Sequence, residues 1–237
     1  PSYLELPKLR DQLPEVPILA LTATATSEVV EDIKRVLHFR PGYAFYQKSF
    51  LRPNISYSIR RSDDKPAMMH FILSRVEGAA IIYCRNRQLC QTVSEALLAE
   101  GISATYYHAG LTYTEREMRQ GRWMRGEVRV MVATNAFGMG IDKPDVRLVI
   151  HLTMPSSLEE YYQEAGRAGR DGEHSYAVAI VGSQDSRMLH RRLQDTFPDK
   201  EYIREVYDQI CNFLAIGEGE GLDRTYDFDI ELFIRRF

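Results

Sequence analysis

Arg167 and Arg170, set three apart in the string Gln163–Gly172 (QEAGRAGRDG), have the types and spacing best suited to chemistry in this sequence. On a helix that spacing puts both guanidinium groups on one face, and Gly166 and Gly169 remove side-chain bulk around them. A pair held this way can reach phosphate or carboxylate oxygens in a two-pronged fork. The blander reading is two cations near the negative end of a helix, which alone explains many arginine pairs. A second string, Ala133–Arg147 (ATNAFGMGIDKPDVR), holds Gly138 and Gly140, which let the backbone turn sharply and present N–H groups to an anion. Within it Asp142 can accept from a ribose hydroxyl, and the Thr134 hydroxyl can donate to a phosphate oxygen.

These strings need elements to position them. Val16–Thr24 reads as a buried strand and Ser27–Phe39 as a helix with Val29, Val30, Ile33, Val36 and Leu37 on its apolar face. Tyr43–Arg60 lacks helical periodicity and reads as a connection or short strands, with a domain boundary near there. From Gly78 the pattern becomes regular: strand Ala79–Cys84, helix Arg87–Ala99 stopped by Gly101, strand Ser103–Tyr107 and a polar helix Thr114–Arg125. Strands follow at Val128–Thr134 and Val146–Leu152. A helix then starts at Ser156, where Glu159 three residues on predicts a capping box. Strand Tyr176–Val181 leads into helices near Ser183–Leu193 and Glu201–Leu214. Alternation at this spacing predicts an α/β fold, a mostly parallel sheet covered by helices on both faces, with ligands at the carboxyl ends of the strands.

A length of 237 residues allows one large domain with flanking pieces, and a net charge of −3 supplies no overall basic field for a nucleic acid. Cys84, Cys90 and Cys211 form no C-x-x-C pair, so neither a disulfide framework nor a closed zinc site is expected. No apolar run approaches a membrane span, and the expected compartment is cytoplasmic. The start at Pro1 reads as the middle of a fold, as in an excised piece.

The two arginine- and glycine-bearing strings, together with LTATAT (Leu21–Thr26), IIYCRNR (Ile81–Arg87) and YHAGL (Tyr107–Leu111), resemble helicase motifs III to VI of superfamily 2. The wording AFGMGIDKPDVR and YYQEAGRAGRDG is similar to the RecQ family in particular, and SFLRPNI (Ser49–Ile55) resembles that family's link between motor domains. The resemblance covers about residues 1 to 185. It implies a RecA-like fold and an ATP-dependent 3′-to-5′ DNA helicase that serves repair and recombination, with ATP and Mg²⁺ as cofactor. It divides the chain into the end of a first RecA-like domain with the link (1–58), a second RecA-like domain (59–185) and a helical extension (186–237). Arg170 is then the arginine finger and Arg167 its support, contributing roughly 10³ to 10⁵ in rate. The implied nucleotide-binding group is Gly140, Asp142, Gln163, Arg167 and Arg170. Asn86, Arg87, His108 and Thr134 fall where relatives touch DNA, and Thr22 and Thr24 where nucleotide state is coupled to DNA grip. The expected partners are single-stranded and partly duplex DNA, bound with little sequence preference.

Some residues carry plainer readings. His108 could be a satisfied core histidine. Arg116, Arg119, Arg122 and Arg125 form a three-residue stripe that reads mostly as a solvated face among glutamates. The family's nucleotide-binding lysine loop and acidic Mg²⁺ motif belong upstream of motif III, so this chain alone is expected to be inactive and to hold no metal. One cysteine beyond Gly172 cannot make the four-ligand zinc site of many relatives, and the helical segment Glu201–Leu214 with the tail Asp223–Phe237 is expected to replace that module and begin a winged-helix region. Two rivals stay open: a superfamily 2 motor acting on RNA, and a non-catalytic nucleic-acid-binding module on the same fold.

Overall fold

The computed structural model describes residues 5–22, 25–49, 51–138, 141–217 and 219–237. In chain order the elements are α1 (Pro7–Gln12), α2 (Ser27–Val36), β1 (Ile55–Arg61), α3 (Lys65–Arg75), β2 (Ala79–Tyr83), α4 (Arg87–Ala99), β3 (Ala104–Tyr107) and α5 (Tyr113–Met124). They continue with β4 (Val130–Ala133), β5 (Val146–His151), α6 (Leu158–Ala165), β6 (Ser175–Val181), α7 (Asp185–Thr196), α8 (Lys200–Phe213) and α9 (Ile230–Arg236). The chain divides into two compact units, Pro1–Ser183 and Gln184–Phe237.

The first unit holds a six-stranded sheet in the order β1-β6-β5-β2-β4-β3, and every adjacent pair is parallel. Two-residue alternation divides its core between two faces. Ala80 and Ile82 of β2 pack with Leu73 of α3 and with Cys90, Val93 and Leu97 of α4. Ile81 and Tyr83 face the other way, against Trp123 of α5, Phe137 and Ala165 of α6. The central strand therefore has no polar side, as a sheet covered on both faces requires. Trp123, fully buried, also donates its indole N–H to the Ala80 carbonyl at 3.3 Å.

Helix starts follow local capping chemistry. Asn86 accepts from the Leu89 N–H at 2.7 Å and begins α4. Thr112 and Glu115 form a reciprocal capping box at the start of α5. The box expected at Ser156 and Glu159 does not form. Ser157 is the cap, accepting from the Glu160 N–H, and the Glu160 carboxylate receives the Ser156 N–H instead. One further turn residue after Pro155 moves the frame by one position.

The expected buried strand at Val16–Thr24 is a correction. Its described residues form no strand, and Leu19 and Leu21 are 81% and 83% exposed. A strand needs a neighbour for its N–H and C=O groups, and none of the six strands pairs with this segment. Thr24 and Gly140 lie outside the described residues.

The second unit contains α7, α8 and α9, with Phe213, Phe228, Phe233 and Phe237 in successive edge or tilted contacts at 5.1 to 5.7 Å. No helix among the described residues is long and apolar enough to cross a membrane.

Replacing Trp123, the chain's single tryptophan, by alanine removes the largest side chain beneath α5. The expected loss is about 3–5 kcal/mol of stability, read as a lower denaturation midpoint in urea.

Candidate functional site

Helix α6 stops at Gly166, so Arg167 and Arg170 ride on the turns that follow it and not on a shared helical face. That corrects the helical reading of their spacing, yet both still line one cavity of about 570 Å³ at one end of the sheet. Its wall also includes Lys48, Arg52, Tyr57, Gly138, Tyr162 and Gln163, with Thr22 at its border. Four cationic side chains thus converge there, and among the described residues no carboxylate lines it. Tyr57 and Tyr162 meet edge to face with ring centres 6.0 Å apart, forming an aromatic flank.

Each arginine is aimed by main chain. Arg167 donates through Nη1 to the Gly138 carbonyl at 2.7 Å, while its buried Nε has no hydrogen-bond partner. Arg170 donates through Nη1 to the Ile141 carbonyl at 2.9 Å and to Asp142 Oδ1 at 2.7 Å. Gly138 therefore turns a carbonyl toward the arginine, where an N–H aimed at an anion was expected, and Asp142 is already engaged by Arg170. A polyanion fits this cavity: it would meet four cations, three of them held by main-chain carbonyls, and a buried guanidine N–H awaiting an acceptor.

Behind the cavity lies a buried polar pair. His151 at the end of β5 and Glu164 in α6 meet at 2.9 Å, with the histidine wholly shielded from solvent. Tyr83 stacks on His151 at 5.5 Å and donates its hydroxyl to the Phe137 carbonyl at 3.0 Å. Burial pushes the Tyr83 phenol well above its usual range, with Arg167 pulling the other way, so it remains a donor.

On the far side of the same loop is a second, more open groove lined by Arg85, Asn86, Arg87, Gln88, Ala109, Thr134, Asn135 and Ala136. It gathers Asn86, Arg87 and Thr134 as expected from the sequence, although the Asn86 carbonyl oxygen is partly committed to capping α4. His108 does not line it. The ring is buried, stacks on Tyr106 at 5.6 Å, and leaves Nδ1 without a hydrogen-bond partner, so it is not a satisfied core histidine. Burial, helped by the nearby Arg87 charge, holds its pKa below the ordinary 6.5. Arg119 also departs from the solvated-face reading: it lies 3.9 Å over the Tyr106 ring and donates to Thr105.

This fold and these grooves can be set beside known proteins. Residues 64–172 match the family model described as helicase conserved C-terminal domain. The chain is 39% identical to the ATP-dependent helicase SGS1 of Saccharomyces cerevisiae, over 90% of this chain and 15% of that protein. It is 42% identical to the ATP-dependent DNA helicase RecQ of Pasteurella multocida, over 81% of this chain and 30% of that one. The chain is related to RecQ-type helicases over more than four-fifths of its length. It spans a third or less of the length of these two relatives. The chain also shares its fold with Dbp5 of S. cerevisiae bound to RNA and ADP BeF3. That match has a TM-score of 0.64 at 21% identity, covering 81% of this chain and 52% of the other. The sheet is accordingly RecA-like.

Sequence reasoning missed the cavity residues Lys48, Tyr57 and Tyr162 and gave Arg52 no role. The string SFLRPNI was the signal available for Arg52, since it carries an arginine and an asparagine just before a strand.

Glu164→Ala leaves His151 buried without its partner and should cost about 1–3 kcal/mol, measured by urea unfolding, with Glu164→Gln losing less. Because His108 is held neutral in the fold, the unfolded chain takes up the proton first as pH falls. Stability at this site should therefore drop as pH falls below 6.5 toward the lower folded value. Melting curves taken between about pH 5 and 8 should show a shallower acid-side slope for His108→Gln.

Proposed function

We propose that this chain is the second motor half of an ATP-dependent DNA helicase, coupling ATP hydrolysis to 3′-to-5′ strand separation in repair and recombination. On this reading residues 1–58 close a first RecA-like domain and its link, 59–185 form the second, and 186–237 are an extension. The observation that carries the proposal is the convergence of Lys48, Arg52, Arg167 and Arg170 on one cavity that shares a loop with a second, open groove.

ATP would place its terminal phosphates against Arg167 and Arg170. Phosphoryl transfer spreads negative charge over the equatorial oxygens, and fixed guanidinium groups stabilise that charge most in the transition state. Arg170 would release Asp142 to do this, freeing the carboxylate for the ribose. Gln163 would add an amide to the nucleotide, and Gly140 is assigned to the same nucleotide-binding group by the resemblance. Since no carboxylate among the described residues lines the cavity, ligands for Mg²⁺ would come from elsewhere, and the chain alone would hydrolyse ATP negligibly. In the second groove Asn86, Arg87 and Thr134 would hold the phosphates and sugars of single-stranded DNA, with His108 supporting them. Thr22 and Thr24 would relay nucleotide state. Binding of this kind reads backbone more than base and weakens with salt.

In the full-length protein, single-stranded DNA should stimulate ATP hydrolysis, and Arg170→Ala should lower the stimulated rate by roughly 10³ or more while ATP still binds. Stimulation by RNA but not DNA would instead support an RNA motor, and a protein that binds nucleic acid without hydrolysing ATP would support the non-catalytic module.

A further inference from the structure

We propose that Arg52 and Asn54 are positioning residues for the arginine pair, holding the turn that carries Arg167 and Arg170 from a distant part of the chain. The inference rests on the motor reading above and adds to it two residues that act by holding the arginine turn.

A helix end leaves its last carbonyls without intrahelical donors. Helix α6 ends at Gly166, and the turns behind it must find partners elsewhere. Arg52 supplies them: its guanidinium donates to the Gly169 carbonyl at 2.8 Å and, more loosely, to those of Gly166 and Ala168 at 3.4 Å each. Asn54 Nδ2 donates to the same Gly169 carbonyl at 2.7 Å and to the Glu173 carbonyl at 3.0 Å. Asn54 also accepts the Ser175 N–H through its own carbonyl at 2.9 Å. Two side chains from one short string thus take five main-chain contacts across the segment 166–173.

Gly169 shows how closely the parts approach. Its φ of +57° lies in the left-handed region, and an added Cβ would stand 2.5 Å from Asn54 Nδ2 and 2.8 Å from the Glu173 carbonyl oxygen. The turn is therefore shaped around the asparagine. From the other side the turn is fixed to the sheet, since the Gly169 N–H donates to Val146 at 2.9 Å and the Asp171 N–H to Pro144 at 3.2 Å. Arg167 and Arg170 flank Gly169 in sequence, so a displacement of the clamp moves both guanidinium groups. Arg52 and Asn54 directly follow the segment whose Phe45, Tyr46, Gln47, Lys48 and Ser49 line the cavity. A movement of that segment would thereby reach the arginines without passing through the sheet.

Arg52 itself lines the cavity, so a phosphate contact of its own would imitate positioning. Asn54 is not among the lining residues and separates the two roles. The experiment measures DNA-stimulated ATP hydrolysis by the full-length protein in five forms: wild type, Asn54→Leu, Asn54→Ser, Arg170→Ala, and Asn54→Leu combined with Arg170→Ala. Asn54→Leu should lower kcat by about 10²-fold, with KM for ATP nearly unchanged and the melting temperature close to wild type. In the double variant the combined loss should fall well short of the product of the two single losses, because much of what the asparagine does passes through that arginine. Asn54→Ser, too short to reach both carbonyls, provides the same reading at the single-variant level if the leucine form does not fold.

Losses that multiply in the double variant, or an Asn54 variant as fast as wild type, would overturn the positioning role while leaving the motor reading intact. A wild-type protein that DNA does not stimulate would overturn the motor reading itself, and this inference with it.

Discussion

Neither His151 nor Glu164 could be buried alone at acceptable cost, and the way they are buried together fixes the rest of the site. Removing an imidazole and a carboxylate from water is unfavourable unless each finds a partner with good geometry. Here each is the other's partner at 2.9 Å, one at the end of β5 and one near the end of α6. That contact sets where α6 lies over the sheet, and so where its terminal turn emerges. Tyr83 reads the same pair from β2, stacking on His151 and reaching the Phe137 carbonyl. Two ligand-facing segments, the arginine turn and the loop after β4, are thereby referred to one buried point.

Electrostatics in this chain is local. The sequence carries a net charge of −3, yet four cationic side chains line one cavity with no carboxylate between them among the described residues. Concentrating charge in a concave, partly desolvated site makes each guanidinium count for more than it would on a flat surface. Asp142 pairs with Arg170, one of the lining cations, without itself lining the cavity.

Much of the fold was legible because its strands are short apolar runs between glycine and capping signals. β2, α4 and α5 stand within one or two residues of expectation, and the parallel sheet follows from their alternation. Helix α3 was missed: its apolar residues are mixed with Lys65, Pro66 and His70, and its start signal, Asp64 accepting from the Ala67 N–H, is a single side chain. Val16–Thr22 misled for the opposite reason. Its composition is that of a strand, but pairing is a property of neighbours, which a one-dimensional pattern does not contain. At the site, residue types and loops were readable, whereas carbonyl directions were not. No periodicity reveals that Gly138 turns its oxygen to Arg167, or that Arg52 reaches three carbonyls more than a hundred residues away.

The five residues Thr134–Gly138 have a thermodynamic consequence. Thr134, Asn135 and Ala136 line the open groove, Gly138 lines the cationic cavity, and Phe137 between them is fully buried against Tyr107 and Trp123. Burial of Phe137 anchors the middle of the segment, so a shift at one end is passed to the other through this ring. Any ligand that prefers one position at one end must change the affinity for a ligand at the other end. Linkage requires the exchange to be equal in both directions: whatever factor a strand in the groove contributes to nucleotide binding, nucleotide returns to the strand. On the motor reading, any change in DNA grip between nucleotide states would have to be matched by an equal change in nucleotide affinity, and this short segment is the part of the chain that borders both grooves.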